Sequence, residues 1–348
     1  MATNERPGVY STVEVSSKLS GSGTGKTVGV AAVSASGTKG LCTDITSYGE
    51  AVSLYGADCS LTKLVKVLFL NGAAAVKAVP AAVGTLAVTA DYTAAFTALM
   101  EKEDVTIMLC GSRSDDVISG MKEAIEGAAE NCKYRIAIAE SAGTVAEAAA
   151  RASALNDERM VMVYPAIEGD GAVIGAAAAA LAGIISAGSD PALPLNGAEL
   201  SGIDNMAKTF SDSDITTLVL SGVTPIESVC GSPCVVRGVT TRTKTAGVAD
   251  TTWRELTTVL IIDDVIPSVR SALRLKFPRV KNTAQTRGAV RTQVIIELES
   301  KLKKEIIDSY GSVTAKADET DPTVCCVDFE FTVAHGLNRI ILSASISV

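Results

Sequence analysis

Residues 135–164 read RIAIAESAGTVAEAAARASALNDERMVMVY. The stretch opens on one short apolar run, Arg135–Ala139, and closes on another, Met160–Tyr164. Between them Thr144–Leu155 is Ala-rich and helical in character. Runs this short and this apolar suit strands covered on both faces. The unit extends in both directions. Upstream, Val105–Leu109 reads as a strand, and Ser114, Asp115 and Asp116 offer N-caps for a helix to about Asn131. Downstream, Pro165 ends the third strand and Ala172–Ala187 reads as a third helix. Buried strands alternating with helices predict a parallel sheet with right-handed crossovers.

Working outward, Lys26–Ser34 has strand character. Asp44–Gly56 reads as a loop capping a short helix, Leu61–Leu70 as a helix, and Ala74–Val79 as a strand stopped at Pro80. Residues 188–250 read as long connections with short strands at Thr217–Leu220 and Cys234–Val239. A second module begins near Trp253. In it Leu256–Ile262 is expected as a strand, and Asp263 or Asp264 as the cap of a helix ending before Pro278, with Pro267 in its first turn. A further helix is expected over Val290–Ser309, with Val294, Ile295, Leu298, Leu302 and Ile306 as its stripe and Gly311 as its stop. Val324–Val333 is expected as one strand carrying Cys325, Val327, Phe329, Phe331 and Val333 on one face.

Both ends of the sequence alternate with period two. Ile340, Leu342, Ala344, Ile346 and Val348 share one face of an extended segment, and Ile341, Ser343, Ser345 and Ser347 the other. Val9, Val13 and Val15 alternate with Tyr10, Thr12, Glu14 and Ser16. A terminal strand pairs within its own domain or extends a neighbour's sheet.

Composition narrows the function classes. With 348 residues, 47% hydrophobic content and 4% aromatics, the core must be built from Ala, Val, Ile and Leu. The net charge of −8 argues against nucleic acid as a direct partner. The opening MATNERPGVY holds no apolar leader, and the Ala172–Ala187 run is too short to span a membrane. Eight cysteines fit no metal spacing and the single histidine, His335, precedes Gly336 in a turn. Buried reduced thiols are expected, with folding in a reducing cytoplasm. No metal and no cofactor is implied.

Gly21-Ser22-Gly23-Thr24-Gly25-Lys26-Thr27 invites a competing reading as a P-loop-like nucleotide hydrolase, with VLIIDD at Val259–Asp264 as its acidic strand. The spacing is one residue short, and an alternating strand rather than a helix follows Thr27, so no helix N-terminus faces a phosphate. The alternative reading is a hinge at Gly21, Gly23 and Gly25. Residues 268–304 hold ten Lys and Arg against two acids, Glu297 and Glu299. Within that span Arg270, Arg274, Lys276, Lys301, Lys303 and Lys304 are candidates for a face that docks an acidic protein.

Taken together, ERPGVYSTVEVSS, DITSYGEAVSLYG, LVKVLFLNGAAAVKAV, DPALPLNGAELSGI, SGVTPI, VVRGVTTRT, LTTVLIIDDVIPSVRSALRLKFPRVKNT and LNRIILSASISV resemble, in order, segments of the contractile tail sheath proteins of phages and R-type bacteriocins. The chain is short for that family. The resemblance implies a non-enzymatic subunit with an N-terminal arm strand (1–20), an α/β body with a parallel sheet (21–250), a smaller α+β C-terminal domain (251–336) and a C-terminal arm strand (337–348). It implies six-fold rings stacked helically around an inner tail tube protein, with baseplate and tail terminator proteins as further partners. Contraction would drive the tube through a target envelope. Assembly would take place in a bacterial host's cytoplasm. The arms would donate Val9, Tyr10, Val13, Val15, Ile340, Leu342, Ala344, Ile346 and Val348 to edges of the kind formed by Val327, Phe329 and Phe331. The basic face would meet the tube.

Overall fold

The computed structural model describes residues 26–169, 172–203 and 209–338. Both arm strands and the hinge glycines Gly21, Gly23 and Gly25 lie outside the described residues, apart from Leu337 and Asn338.

In chain order the elements are β1 (Thr27–Ser34), β2 (Thr43–Ile45), α1 (Tyr48–Tyr55), α2 (Ser60–Leu70), β3 (Val76–Val83), α3 (Thr89–Met100), β4 (Val105–Cys110), α4 (Asp115–Glu130), β5 (Ile136–Glu140), α5 (Val145–Leu155), β6 (Met160–Tyr164), α6 (Ala176–Ala187) and α7 (Asp212–Leu220). They continue as β7 (Val223–Val229), β8 (Ser232–Val235), β9 (Lys244–Thr245), β10 (Val248–Ala249), α8 (Leu256–Lys276), α9 (Ala284–Lys303), β11 (Ile307–Tyr310), β12 (Thr314–Ala317), β13 (Cys325–Asp328) and β14 (Phe331–Val333).

The body is one eight-stranded sheet in the order β2-β3-β1-β4-β5-β6-β7-β8, antiparallel only at its two outer pairs. Its central strands β4, β5 and β6 are largely apolar because both faces are covered. Val28, Val30, Ile107, Leu109, Ile136, Ile138, Val161 and Val163 face one core with α2 and α6. Ala31, Met108, Ala137, Ala139, Met160 and Met162 face the other with α3, α4, α5 and α7. The Ala176–Ala182 run is wholly buried in the first core, where small side chains let α6 lie close against α2. No described helix is long and apolar enough to cross a membrane.

Three expectations fail. Pro80 stands inside β3, opposite Ala32, rather than ending it. The short β2 pairs only with Val76–Ala78, so Pro80 falls where β3 has become the sheet edge and needs no further donor. Thr217–Leu220 is the end of helix α7, not a strand; Ser211 and Asp214 form its capping box. Leu256–Ile262 is the start of the 21-residue helix α8, with Pro267 inside it. Leu256 and Val259 enter the first body core, while Ile261, Val265 and Val269 enter a third core with Val294, Leu298, Ile306 and Ile307. Burial on two sides at helical spacing overrides the strand preference of a β-branched run.

Helix α9 also ends earlier than expected. Glu305 takes a left-handed conformation, φ 57°, and Ile306 N–H donates to the Lys301 carbonyl, the closing bond of a Schellman turn. Ile306 and Ser309 therefore lie beyond the helix.

Doubly wound sheets hold ligands at the C-terminal strand ends where the winding reverses, here beside β1 and β4. In this protein the crevice is filled. Gly111 N–H donates to the Ala31 carbonyl at 2.8 Å. Gly175, at φ +92°, seats the start of α6 so close that a Cβ would stand 2.7 Å from the Cys110 carbonyl oxygen. Beside it the buried Glu140 carboxylate accepts from Ala177 N–H at 3.2 Å and from Arg113 Nε at 2.8 Å. Burial raises its pKa, opposed by the Gly175 N–H and by Arg113. The charge sits at the positive end of α6, a structural use of the position.

Candidate assembly surfaces

The C-terminal module is a hairpin of α8 and α9 carrying a β-ribbon. β11 pairs antiparallel with β14 and β12 with β13. The two pairs continue one another through the Gly311 N–H bond to the Glu330 carbonyl, 3.0 Å. The expected strand Val324–Val333 is thus one side of this ribbon, broken at Phe329–Glu330 into β13 and β14. A Cβ on Gly311 would lie 2.1 Å from Glu330 Oε1, so the Glu330 side chain folds over Gly311 at the junction. Gly311 serves this contact and is not a helix stop.

Val327 lies on β13, Phe331 on β14 and Phe329 between them, with the Phe329 and Phe331 rings stacked at 6.3 Å. All three pack on the third core from half-buried positions. Among the described residues each ribbon strand has one partner, so both long edges present unpaired backbone groups.

The seam between module and body is ionic. Arg159, at the entry to β6, forks onto Asp263 of α8 with Nη1–Oδ2 at 2.8 Å and Nη2–Oδ1 at 2.9 Å. Its guanidinium also stacks 4.9 Å from the Tyr134 ring centroid. Burial pushes the Asp263 carboxyl up and Arg159 opposes it. Asp264, next along the helix, pairs with Lys301 of α9. Arg237 pairs with Glu255 and Arg242 with Glu158 around the same seam. Burial raises Asp157, beside them, to about 6. The two aspartates expected as alternative helix caps are therefore mid-helix clamp residues. Their partners stand far away in sequence, and nothing local announces them.

The basic span divides. Arg270 and Arg274 are exposed on α8, and Lys303 and Lys304 are exposed at the end of α9, all without an acidic partner among the described residues. Lys276 donates to Gln293. Lys301, expected on the docking face, is instead committed to Asp264 within the chain.

Lys26 borders a cavity of about 280 Å³ with Tyr134, Leu260, Asp263 and Asp264. Burial lowers its pKa and the aspartates oppose the shift. Thr27 opens strand β1, as expected, and Asp263 and Asp264 are helical rather than the end of a strand. His335 follows β14 beside Pro194 and Glu255. All eight cysteines are free, and burial pushes the Cys110 thiol up to about 12. The expectation of buried thiols fails for Cys132 and Cys230, which are exposed in turns.

Comparison with known proteins bears directly on this architecture. Residues 87–241 match the family model for the phage tail sheath protein central domain, and residues 248–347 that for the phage tail sheath C-terminal domain. No curated protein matches the chain in sequence. Among solved structures, a chain of the anti-feeding prophage baseplate aligns with a TM-score of 0.78 at 16% identity, over 99% of this chain and 100% of that one. The anti-feeding prophage helical sheath in its contracted state aligns at 0.74 and 16% identity, again over 99% and 100%. The sheath tail protein from Desulfitobacterium hafniense aligns at 0.71 and 12% identity, over 94% and 100%. At such identities these likenesses establish the fold, while the two family matches together span well over half the chain. The chain belongs to the phage tail sheath family: it is a structural subunit of a contractile tail and not an enzyme.

Proposed function

We propose that this subunit polymerises as six-fold rings stacked in a helix around an inner tail tube protein, bounded by baseplate and tail terminator proteins, and that contraction of the stack drives the tube through a target envelope. Assembly takes place in a bacterial host's cytoplasm, and the mature sheath is carried on the particle tail. In this reading residues 1–20 and 337–348 are arms flanking a body of residues 21–250 and a C-terminal domain of residues 251–336.

The observation that carries the reading is the ribbon formed by β11 to β14, neither edge of which is paired by another described strand, with Val327, Phe329 and Phe331 on one side of it. A strand laid on either edge would pair with its backbone groups and bring apolar side chains to a core already apolar. Val9, Tyr10, Val13 and Val15 supply one such strand, and Ile340, Leu342, Ala344, Ile346 and Val348 the other. Donation between copies is heterologous and need not close, so it builds filaments. The glycines at 21, 23 and 25 let the first arm change direction. The reading does not call on Lys26 for nucleotide chemistry.

The tube contact falls to the exposed basic residues Arg270, Arg274, Lys276, Lys303 and Lys304. Reversing charge at Arg270, Arg274 and Lys303 together should leave self-assembly intact and abolish co-assembly with an acidic inner tube protein, read by co-sedimentation at low salt. Unchanged co-sedimentation would remove the basic groups from the tube interface.

A further inference from the structure

Beyond β14 the chain turns back toward the body. Gly336 packs against Pro194, and the Asn196 side-chain amide donates to Asn338 Oδ1 at 2.7 Å. At that anchor a groove of about 320 Å³ opens, with Asn196 and Asn338 on its lining. Ile215, Val219 and Leu220 of α7 and Val236 give it apolar walls, and Arg237 and Arg254 complete it. Leu220 is 59% exposed although it belongs to this wall. An apolar trough is suited to an extended peptide, which presents alternate side chains to it.

We infer that this groove holds the root of the C-terminal segment of its own subunit, with Ile340 and Leu342 seated against Ile215, Val219 and Leu220. Position supports the choice of occupant. Asn338 is already fixed at the rim, and Ile340 is two residues further on, a reach of about 7 Å. Spacing supports it as well. Ile215 and Val219 are separated by about 6 Å along α7. Ile340 and Leu342, on one face of an extended segment, are separated by about 6.7 Å. The inference narrows the donated strand of the proposed function: Ile340 and Leu342 stay at home and set the direction of exit, leaving Ala344, Ile346 and Val348 for a neighbour.

The inference is tested by photo-cross-linking from the groove wall. Leu220→p-benzoylphenylalanine is placed in the full-length chain, at a position exposed enough to tolerate it. Equal amounts of ¹⁵N-labelled and unlabelled subunits are mixed and irradiated, and the cross-linked peptides are mapped by mass spectrometry. Cross-links to residues 339–343 with both peptides from the same isotopic pool are expected. Their yield should fall at least fivefold when Ile340→Asp and Leu342→Asp are added. Mixed-isotope cross-links, which would mean that a neighbour's segment fills the groove, overturn the inference. So do cross-links to any other segment, or none. Strand donation is read separately, by polymer formation, so either idea can fail without the other.

Discussion

A chain ended at Gly336 should fold and remain monomeric, forming no tubes under conditions where the full-length protein polymerises. Every described residue of the three cores precedes that point, so any loss of thermal stability should be confined to the root proposed at Ile340 and Leu342. What is lost is the donated strand. Ordering an extended arm costs about 1–2 kcal/mol per residue in backbone entropy, and each hydrogen bond returns only about 1 kcal/mol net. The arm therefore depends on burying large aliphatic side chains, at roughly 1.5–3 kcal/mol each. Ile346→Asp with Val348→Asp tests the same point more narrowly. It leaves the proposed root at Ile340 and Leu342 untouched and should block polymerisation as fully as the truncation. Ordered tubes from either variant, seen by negative-stain electron microscopy, would contradict strand donation.

Arg159→Ala should destabilise the subunit by about 3–5 kcal/mol, because it strands the Asp263 carboxylate in a buried site. The pair is bidentate, with both side chains mostly buried, and the guanidinium also stacks on Tyr134 and donates to the Arg135 carbonyl at 3.2 Å. The effect belongs to the unpaired charge rather than to the worth of the bridge. A double variant, Arg159→Met with Asp263→Leu, should therefore recover most of the loss. Arg159→Lys keeps the charge but not the fork and should fall between. Urea unfolding measures all three; a loss below about 1 kcal/mol for Arg159→Ala would show that the seam is not held this way.

Strands β4, β5 and β6 were legible because they announce themselves: apolar on successive residues, five or six long, and separated by capped helices. Thr144 with Glu147 is a capping box in the structure as in the sequence. Helix α3 went unread although Tyr92, Phe96 and Leu99 recur at helical spacing, because the Thr- and Ala-rich residues between them carry little contrast. α8 was misread because Val259, Ile261, Ile262 and Val265 favour a strand locally, and only the two cores on either side of the helix decide otherwise. The Arg159–Asp263 fork joins residues 104 apart, a relation that no local pattern carries. The assembly surfaces were legible in part. Alternation pointed to the apolar face of the 324–333 segment, but not to its division at Glu330 or to the commitment of Lys301 to Asp264. The arm segments 1–20 and 337–348 rest on alternation and on the family resemblance.

Electron cryomicroscopy of the polymer formed by the full-length protein tests the account most directly. It should show hollow tubes of stacked six-fold rings, with residues 9–15 of one subunit and 344–348 of another laid as strands along the two edges of the β11–β14 ribbon of a third. A protein that forms no polymer, or a polymer in which both terminal strands pair within their own subunit, would contradict it.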